Sequence, residues 1–121
     1  MFGDTDLQSL PLGDAVETII RRYLKMIDSD DDRNAVLALL RSAVSNEAAA
    51  TLLSELVTAE LLTRISDLAD HPDAALRASL VVAQLVGIAV HRHVIRVGPL
   101  ANATEDEIVM LAAPAIERYL A

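Results

Sequence analysis

The chain has 121 residues, enough for one compact domain, and 53% of them are hydrophobic with a mean hydropathy of +0.36, which excludes intrinsic disorder. With 18 acidic side chains against 10 basic ones, the net charge of −8 repels phosphate backbones and argues against nucleic-acid binding by this chain alone. The lack of cysteine excludes a disulfide scaffold, a thiolate metal site and a cysteine nucleophile. The aromatic supply is Phe2, Tyr23 and Tyr119, so the core must be filled by Leu, Ile, Val and Ala, which favours packed helices.

The N-terminal residues 1–6 are acidic and lack the basic-then-apolar order of a secretory signal. Residues 1–9 are expected to be poorly ordered, and residues 10–121 to form one all-α domain. The first helix follows Pro11, with Val16, Ile19, Ile20, Tyr23, Leu24 and Ile27 at helical spacing and Glu17, Arg21, Arg22 and Lys25 on the other side. The acidic run from Asp28 to Asp32 ends it. That run lacks the glycine and the downstream glutamate of a calcium loop, and reads as a solvated turn whose last Asp caps the next helix.

The second helix, about Arg33 to Val44, carries Val36, Leu37, Leu39, Leu40 and Val44. Ser45, Asn46 and Glu47 start a third, through about Leu68, with Leu52, Leu53, Leu56, Val57, Leu61, Ile65 and Leu68 in one stripe. The fourth, roughly Asp73 to Val97, is apolar nearly all round from Ala78 to Val90. That run of about thirteen residues falls short of the ~20 that span a bilayer, so a cytoplasmic protein with no membrane segment is expected. A helix apolar on every side needs cover that a chain this short cannot supply alone, and a second subunit would supply it. Ser79, Ala83 and Gly87 form a row of small residues four apart, along which another helix can approach closely. Thr104 and Glu107 have the spacing of a capping box for a fifth helix, which presents Ile108, Leu111, Ala112, Ala115, Ile116 and Tyr119 and should bend at Pro114.

Chemistry has little support in this pattern. His91 and His93 would stand about 200° apart on a helix, so they cannot chelate one ion together. No strand-turn-helix elbow surrounds any serine, and the glycines are scattered rather than forming a phosphate loop. Neither a metal nor a cofactor is expected, and the chain does not read as an enzyme. What remains are polar groups set in apolar stripes: Tyr23, Arg41, Gln84 and His91, each able to orient a small molecule or to be an ordinary core or interface residue. Tyr23, Arg41, Leu56, Glu60 and Gln84 are expected to meet in one interhelical cavity and bind a ligand there. Ala83, Gly87, Val90, Val94, Ile108, Leu111, Ala112 and Ala115 are expected near the two-fold axis of a homodimer.

The segments Leu39–Ala43, Asn46–Ala49, Ala75–Ala89 and Leu111–Leu120, in that order and spacing, resemble the C-terminal regulatory domain of tetracycline-repressor-like (TetR-family) transcription regulators, most closely the actinobacterial members. The resemblance covers roughly residues 10–121. It implies a five-helix bundle whose last two helices pair with their copies in a dimeric four-helix bundle, and an effector pocket among the earlier helices. A helix-turn-helix needs about fifty residues with a basic recognition helix, and nothing before Leu10 supplies one. The chain therefore reads as a fragment, a mis-started frame or a freestanding domain; the full-length regulator would bind DNA, and this chain would not. The expected function is effector sensing and dimerisation, with a small hydrophobic or amphipathic effector. The alternative is a helical dimerisation module without a ligand.

Overall fold

The computed structural model describes residues 7–121, the side chain of Glu60 excepted. A 3₁₀ turn at Leu7–Ser9 leads into helices α1 (Leu12–Asp28), α2 (Asp30–Ser45) and α3 (Glu47–Val57). A π-helical turn, Thr58–Leu62, carries α3 into the short α4 (Thr63–Ser66) without leaving right-handed helical backbone. Helix α5 (Ala74–Ala89) continues in the same way into a second π-helical turn, Val90–Val94. A short α6 (Gly98–Ala101) and a long α7 (Glu105–Leu120) complete the chain. The result is the expected all-α bundle of five rods, with the 3₁₀ turn and α6 added.

Two boundaries differ from expectation. Leu7, ahead of the expected domain start at Leu10, is buried in the main core, where an apolar side chain has a place to pack. Helix α2 starts at Asp30, with Ser29 in the capping position, so Asp30, Asp31 and Asp32 form its first turn. There they complement the positive end of the helix dipole. Helix α7 runs unbroken through Pro114.

Helix α1 is the centre of the domain. Ala15, Val16, Ile19, Ile20, Tyr23, Leu24 and Ile27 are all buried, and α1 touches α2, α5 and α7. Helix α5 buries Ala78, Val81, Val82, Leu85, Ile88 and Ala89, and α7 buries Ile108, Val109, Ala112, Ile116 and Leu120. The hairpin of α2 and α3 is anchored differently. Leu37 is the only buried residue of α2, α3 has none, and Leu37 stands outside the main core cluster. By length and composition the rod Ala74–Val94 could cross a membrane, yet its buried face is the core of this bundle.

Polar ties fix the ends of the rods. The predicted capping box forms: the Glu107 N–H donates to Thr104 Oγ1 at 3.2 Å and the Thr104 N–H to Glu107 Oε1 at 3.0 Å. Hydrogen bonds from the Thr104 backbone N–H and, secondarily, from its side chain hold the Glu107 carboxyl below its ordinary pKa. The Asn46 side chain accepts from the Ala49 N–H at 3.1 Å and caps α3. Arg77 donates to the Tyr119 carbonyl at 2.9 Å, and His71 hydrogen-bonds the Ala121 carbonyl, so two basic residues meet the negative end of α7.

The most connected tie lies at the far end of α1. Arg92 clamps Asp28 with Nε to Oδ1 at 2.9 Å and Nη2 to Oδ2 at 3.1 Å, while its Nη1 donates to the carbonyls of Leu100 and Ala103 at 2.9 and 2.8 Å. His93 Nε2 meets Asp28 Oδ1 at 2.7 Å. One carboxylate thus joins α1 to the second π-helical turn, and Arg92 extends the link to α6. Partial burial pushes the Asp28 pKa up, but the hydrogen bonds and charges of Arg92 and His93 outweigh it and hold the carboxyl below its ordinary range. Just beyond, Arg96 adopts φ 54°, and the Val97 N–H closes the helix end on the His91 carbonyl at 2.9 Å.

Two predictions follow from these ends. Because the folded pKa of Asp28 is depressed, its contribution is present above the unfolded value and fades as pH falls through the folded one. Asp28→Asn should therefore lower unfolding free energy at neutral pH by about 1–2 kcal/mol in urea titrations and flatten the loss on acidification. Arg96→Gly relieves a left-handed backbone that a β-carbon disfavours, and should stabilise the domain by about 0.5–1 kcal/mol in the same assay.

Candidate functional site

Helices α1, α2, α3 and α5 and the first π-helical turn frame an aliphatic cavity of about 240 Å³. Tyr23 and Met26 reach it from α1, and Val82, Leu85 and Val86 from α5. Val36, Leu39 and Leu40 of α2 form a second wall, and Leu53, Leu56 and Val57 of α3 with Leu61 of the π-helical turn form a third. The space exists because the hairpin leans on the bundle without threading large side chains into it. Neither α2 nor α3 carries an aromatic residue. Leu56, 45% exposed, stands at the rim.

Among the described residues Tyr23 is the polar side chain of this wall. Its hydroxyl donates to the Leu85 carbonyl at 2.5 Å, joining the two long helices that floor the cavity. Burial raises the phenol pKa well above its ordinary value, so the hydroxyl keeps its proton and remains a donor to that carbonyl across the physiological range. Among the described residues no charged side chain lines the cavity. Nor do any three His, Asp or Glu side chains there converge as metal ligands.

The sequence-predicted pocket residues do not all meet. Tyr23 and Leu56 share this cavity. Gln84 instead lines an open groove between α5, α6 and α7 with Ile88, Leu100, Ile108 and Ala112, because it lies on the side of α5 opposite Val82 and Val86. Arg41 is exposed on the outer side of α2 and lines no part of the cavity. The side chain of Glu60 lies outside the described residues. Sequence reasoning missed Met26, Val36, Leu39, Leu40, Leu53, Val57, Leu61, Val82, Leu85 and Val86 as wall residues. Their apolar spacing was visible, but spacing marks an inward face without distinguishing a filled interior from a void.

The expected dimer residues divide into two sets. Ala83 and Ala115 are exposed, Leu111 is 79% exposed, and a β-carbon built on Gly87 meets nothing within 4 Å. Ile108 and Ala112 belong to the domain's own core and border the groove, while Val90 and Val94 are half-buried in the second π-helical turn. Leu76 and Leu80, exposed and on the same side of α5 as Ala83 and Gly87, extend the open apolar face beyond the expected set. His91, the fourth polar residue of the apolar stripes, bonds within its own helix to the Gly87 carbonyl at 2.7 Å.

The fold is similar to that of a TetR-family regulator from Streptomyces coelicolor A3, whose crystal structure superimposes with a TM-score of 0.67 at 23% sequence identity, over 94% of this chain and 75% of that one. No curated protein matches the sequence. The model of the tetracyclin repressor-like C-terminal domain matches residues 14–120, almost the whole bundle. The chain belongs to the tetracycline-repressor-like C-terminal domain family.

Proposed function

We propose that this chain is the effector-sensing and dimerisation domain of a TetR-type transcription regulator, acting in the cytoplasm and without catalytic activity of its own. The observation that carries the sensing half is the aliphatic cavity between the α2–α3 hairpin and the floor of α1 and α5. A concave apolar site with one placed polar group is the usual form of a small-molecule site. TetR-family regulators are generally dimeric and bind small-molecule effectors, which agrees with this reading.

The mechanism is a population shift. An effector that fills the cavity stabilises the closed position of the hairpin against α1 and α5, and the α5 rod carries the change to the dimer face. The ligand alters the equilibrium only by its difference in affinity for the two arrangements; a tenfold difference corresponds to ~1.4 kcal/mol. DNA reading by the full-length regulator belongs to a separate domain, since this chain is acidic.

Dimerisation is supported by the open face of α5 and α7. Gly87 costs up to ~1 kcal/mol of helix propensity against alanine, and within one protomer no neighbour crowds its position. Close approach of a second copy gives the glycine a reason. Leu76, Leu80, Ala83, Leu111 and Ala115 supply apolar area on both sides of such a crossing.

Two measurements test the two halves. Leu53→Trp adds a ring where α3 has no fully buried side chain, so it should fill the cavity, leave the helical circular dichroism unchanged and abolish saturable thermal stabilisation by hydrophobic compounds. Stabilisation that survives Leu53→Trp overturns the cavity as the sensing site, and silence of the unsubstituted protein across a broad panel favours the ligand-free dimerisation module. Gly87→Glu meets open space within one protomer and should give a folded monomer by sedimentation, where the unsubstituted chain sediments as a dimer. A dimer that persists in Gly87→Glu contradicts this interface.

A further inference from the structure

The aliphatic cavity has a neighbour. A groove of about 360 Å³ runs between α2, α3 with its π-helical turn, and α5, and Leu53, Val57 and Val82 line both spaces. Three aliphatic side chains are thus the partition between them. Leu53, Val57 and Leu61 recur at intervals of four and face the cavity, while Ala50, Ser54, Thr58 and Leu62 form the adjacent row and line the groove. On α2, Leu39 and Leu40 give way to Ala43 one turn on, and on α5 Ser79 stands one turn before Val82. Small side chains keep the groove open. Ser54, Thr58 and Ser79, all exposed, bring hydroxyls to it. Thr58 donates to the Ser54 carbonyl at 2.8 Å and Ser79 to the Ala75 carbonyl at 2.9 Å, which leaves acceptor lone pairs on both hydroxyl oxygens.

The partition is one side chain thick and is held on one side by a loosely packed element. Helix α3 has no buried residue, and backbone contact with α5 comes mainly from the π-helical turn and α4. Leu53 is half-buried and stands outside the core cluster, so a change of its rotamer opens the partition without unpacking the bundle. The cavity alone, at about 240 Å³, falls below the ~300–1,000 Å³ usual for small-molecule sites, and the two spaces together fall within it. We propose that cavity and groove form one bipartite site for an amphipathic molecule, whose aliphatic tail lies in the cavity and whose hydroxylated head passes between Leu53 and Val82 to Ser54, Thr58 and Ser79. This rests on the sensing reading above and adds to it a second subsite and a ligand class.

The test compares two probes by calorimetry: benzene, which an apolar cavity of ~150 Å³ already holds, and octyl glucoside below its micelle concentration, which has a tail and a hydroxylated head. Both should bind the unsubstituted protein. Ala50→Leu with Ser79→Leu fills the groove and leaves every residue that faces the cavity in place. It should weaken the glucoside at least tenfold and change benzene by less than about twofold. Ser54→Ala with Ser79→Ala removes two hydroxyls without adding bulk, and should weaken the glucoside about five- to tenfold, the fold-change of one net hydrogen bond, again sparing benzene. The readout is the ratio of the two affinities within each variant, which a general loss of stability does not move. If the leucine variant does not fold, the alanine variant decides by itself. A ratio unchanged in a folded variant, a ratio that moves in favour of the glucoside, or benzene binding without glucoside binding overturns the bipartite site and leaves the sensing reading standing. Saturable binding of neither probe to the unsubstituted protein overturns the bipartite site and removes the cavity's support for sensing.

Discussion

Burial of the apolar face of α1 constrains the rest of the domain. Val16, Ile19, Ile20, Tyr23, Leu24 and Ile27 together cover more of the helix circumference than one neighbour can shield, so α5 and α7 must both close on it. Once those helices are in place, the part of α1 around Tyr23 and Met26 still faces outward. The α2–α3 hairpin is what remains to cover it. With Leu37 its one buried residue, the hairpin covers that area as a roof rather than as a third layer of core. The cavity is the difference between roofing and filling.

Much of this architecture was legible in the sequence because it depends on local rules. The capping box of Thr104 and Glu107, the cap at Asn46, the apolar periodicity of α1 and the stop after Leu68 all concern neighbours in the chain. The π-helical turns were not legible, since no residue type marks where a helical ladder widens to admit an extra residue. Nor was the clamp on Asp28, whose partners Arg92 and His93 lie far along the chain and carry no local mark of their pairing. The candidate site was half legible. Tyr23 and Leu56 were recognisable as members of inward stripes, but Gln84 was assigned to the wrong side of α5. A helix apolar nearly all round gives no moment with which to choose a side, and only the positions of α1 and α7 decide that Val82 and Val86 look toward the hairpin and Gln84 toward the groove.

The same lack of a preferred side explains why α5 can serve two purposes. One face floors the cavity through Val82, Leu85 and Val86, and the opposite face presents Leu76, Leu80, Ala83 and Gly87 to solvent. In the proposed sensing mechanism, a displacement of the hairpin that presses on the first face would pass along α5 to the second. The ends of that rod are pinned, by Arg77 to the last turn of α7 and by Arg92 and His93 to Asp28 at the end of α1. With both ends fixed, the unfilled side at Val82 and Val86 is where the bundle has room to adjust. In the proposed dimer such an adjustment would lie beside the open face of α5 and α7.

The central claim is that the hairpin is a weakly anchored roof over a space belonging to the rigid bundle. Native-state hydrogen exchange tests it directly, because amides report the free energy of the opening that exposes them. The account predicts that the interior amides of α2 and α3 exchange through an opening well below the global unfolding free energy, while those of α1 and α5 exchange only through global unfolding. Uniform protection at the global level across α2, α3 and α1 would contradict it, since the hairpin would then be part of a single cooperative core.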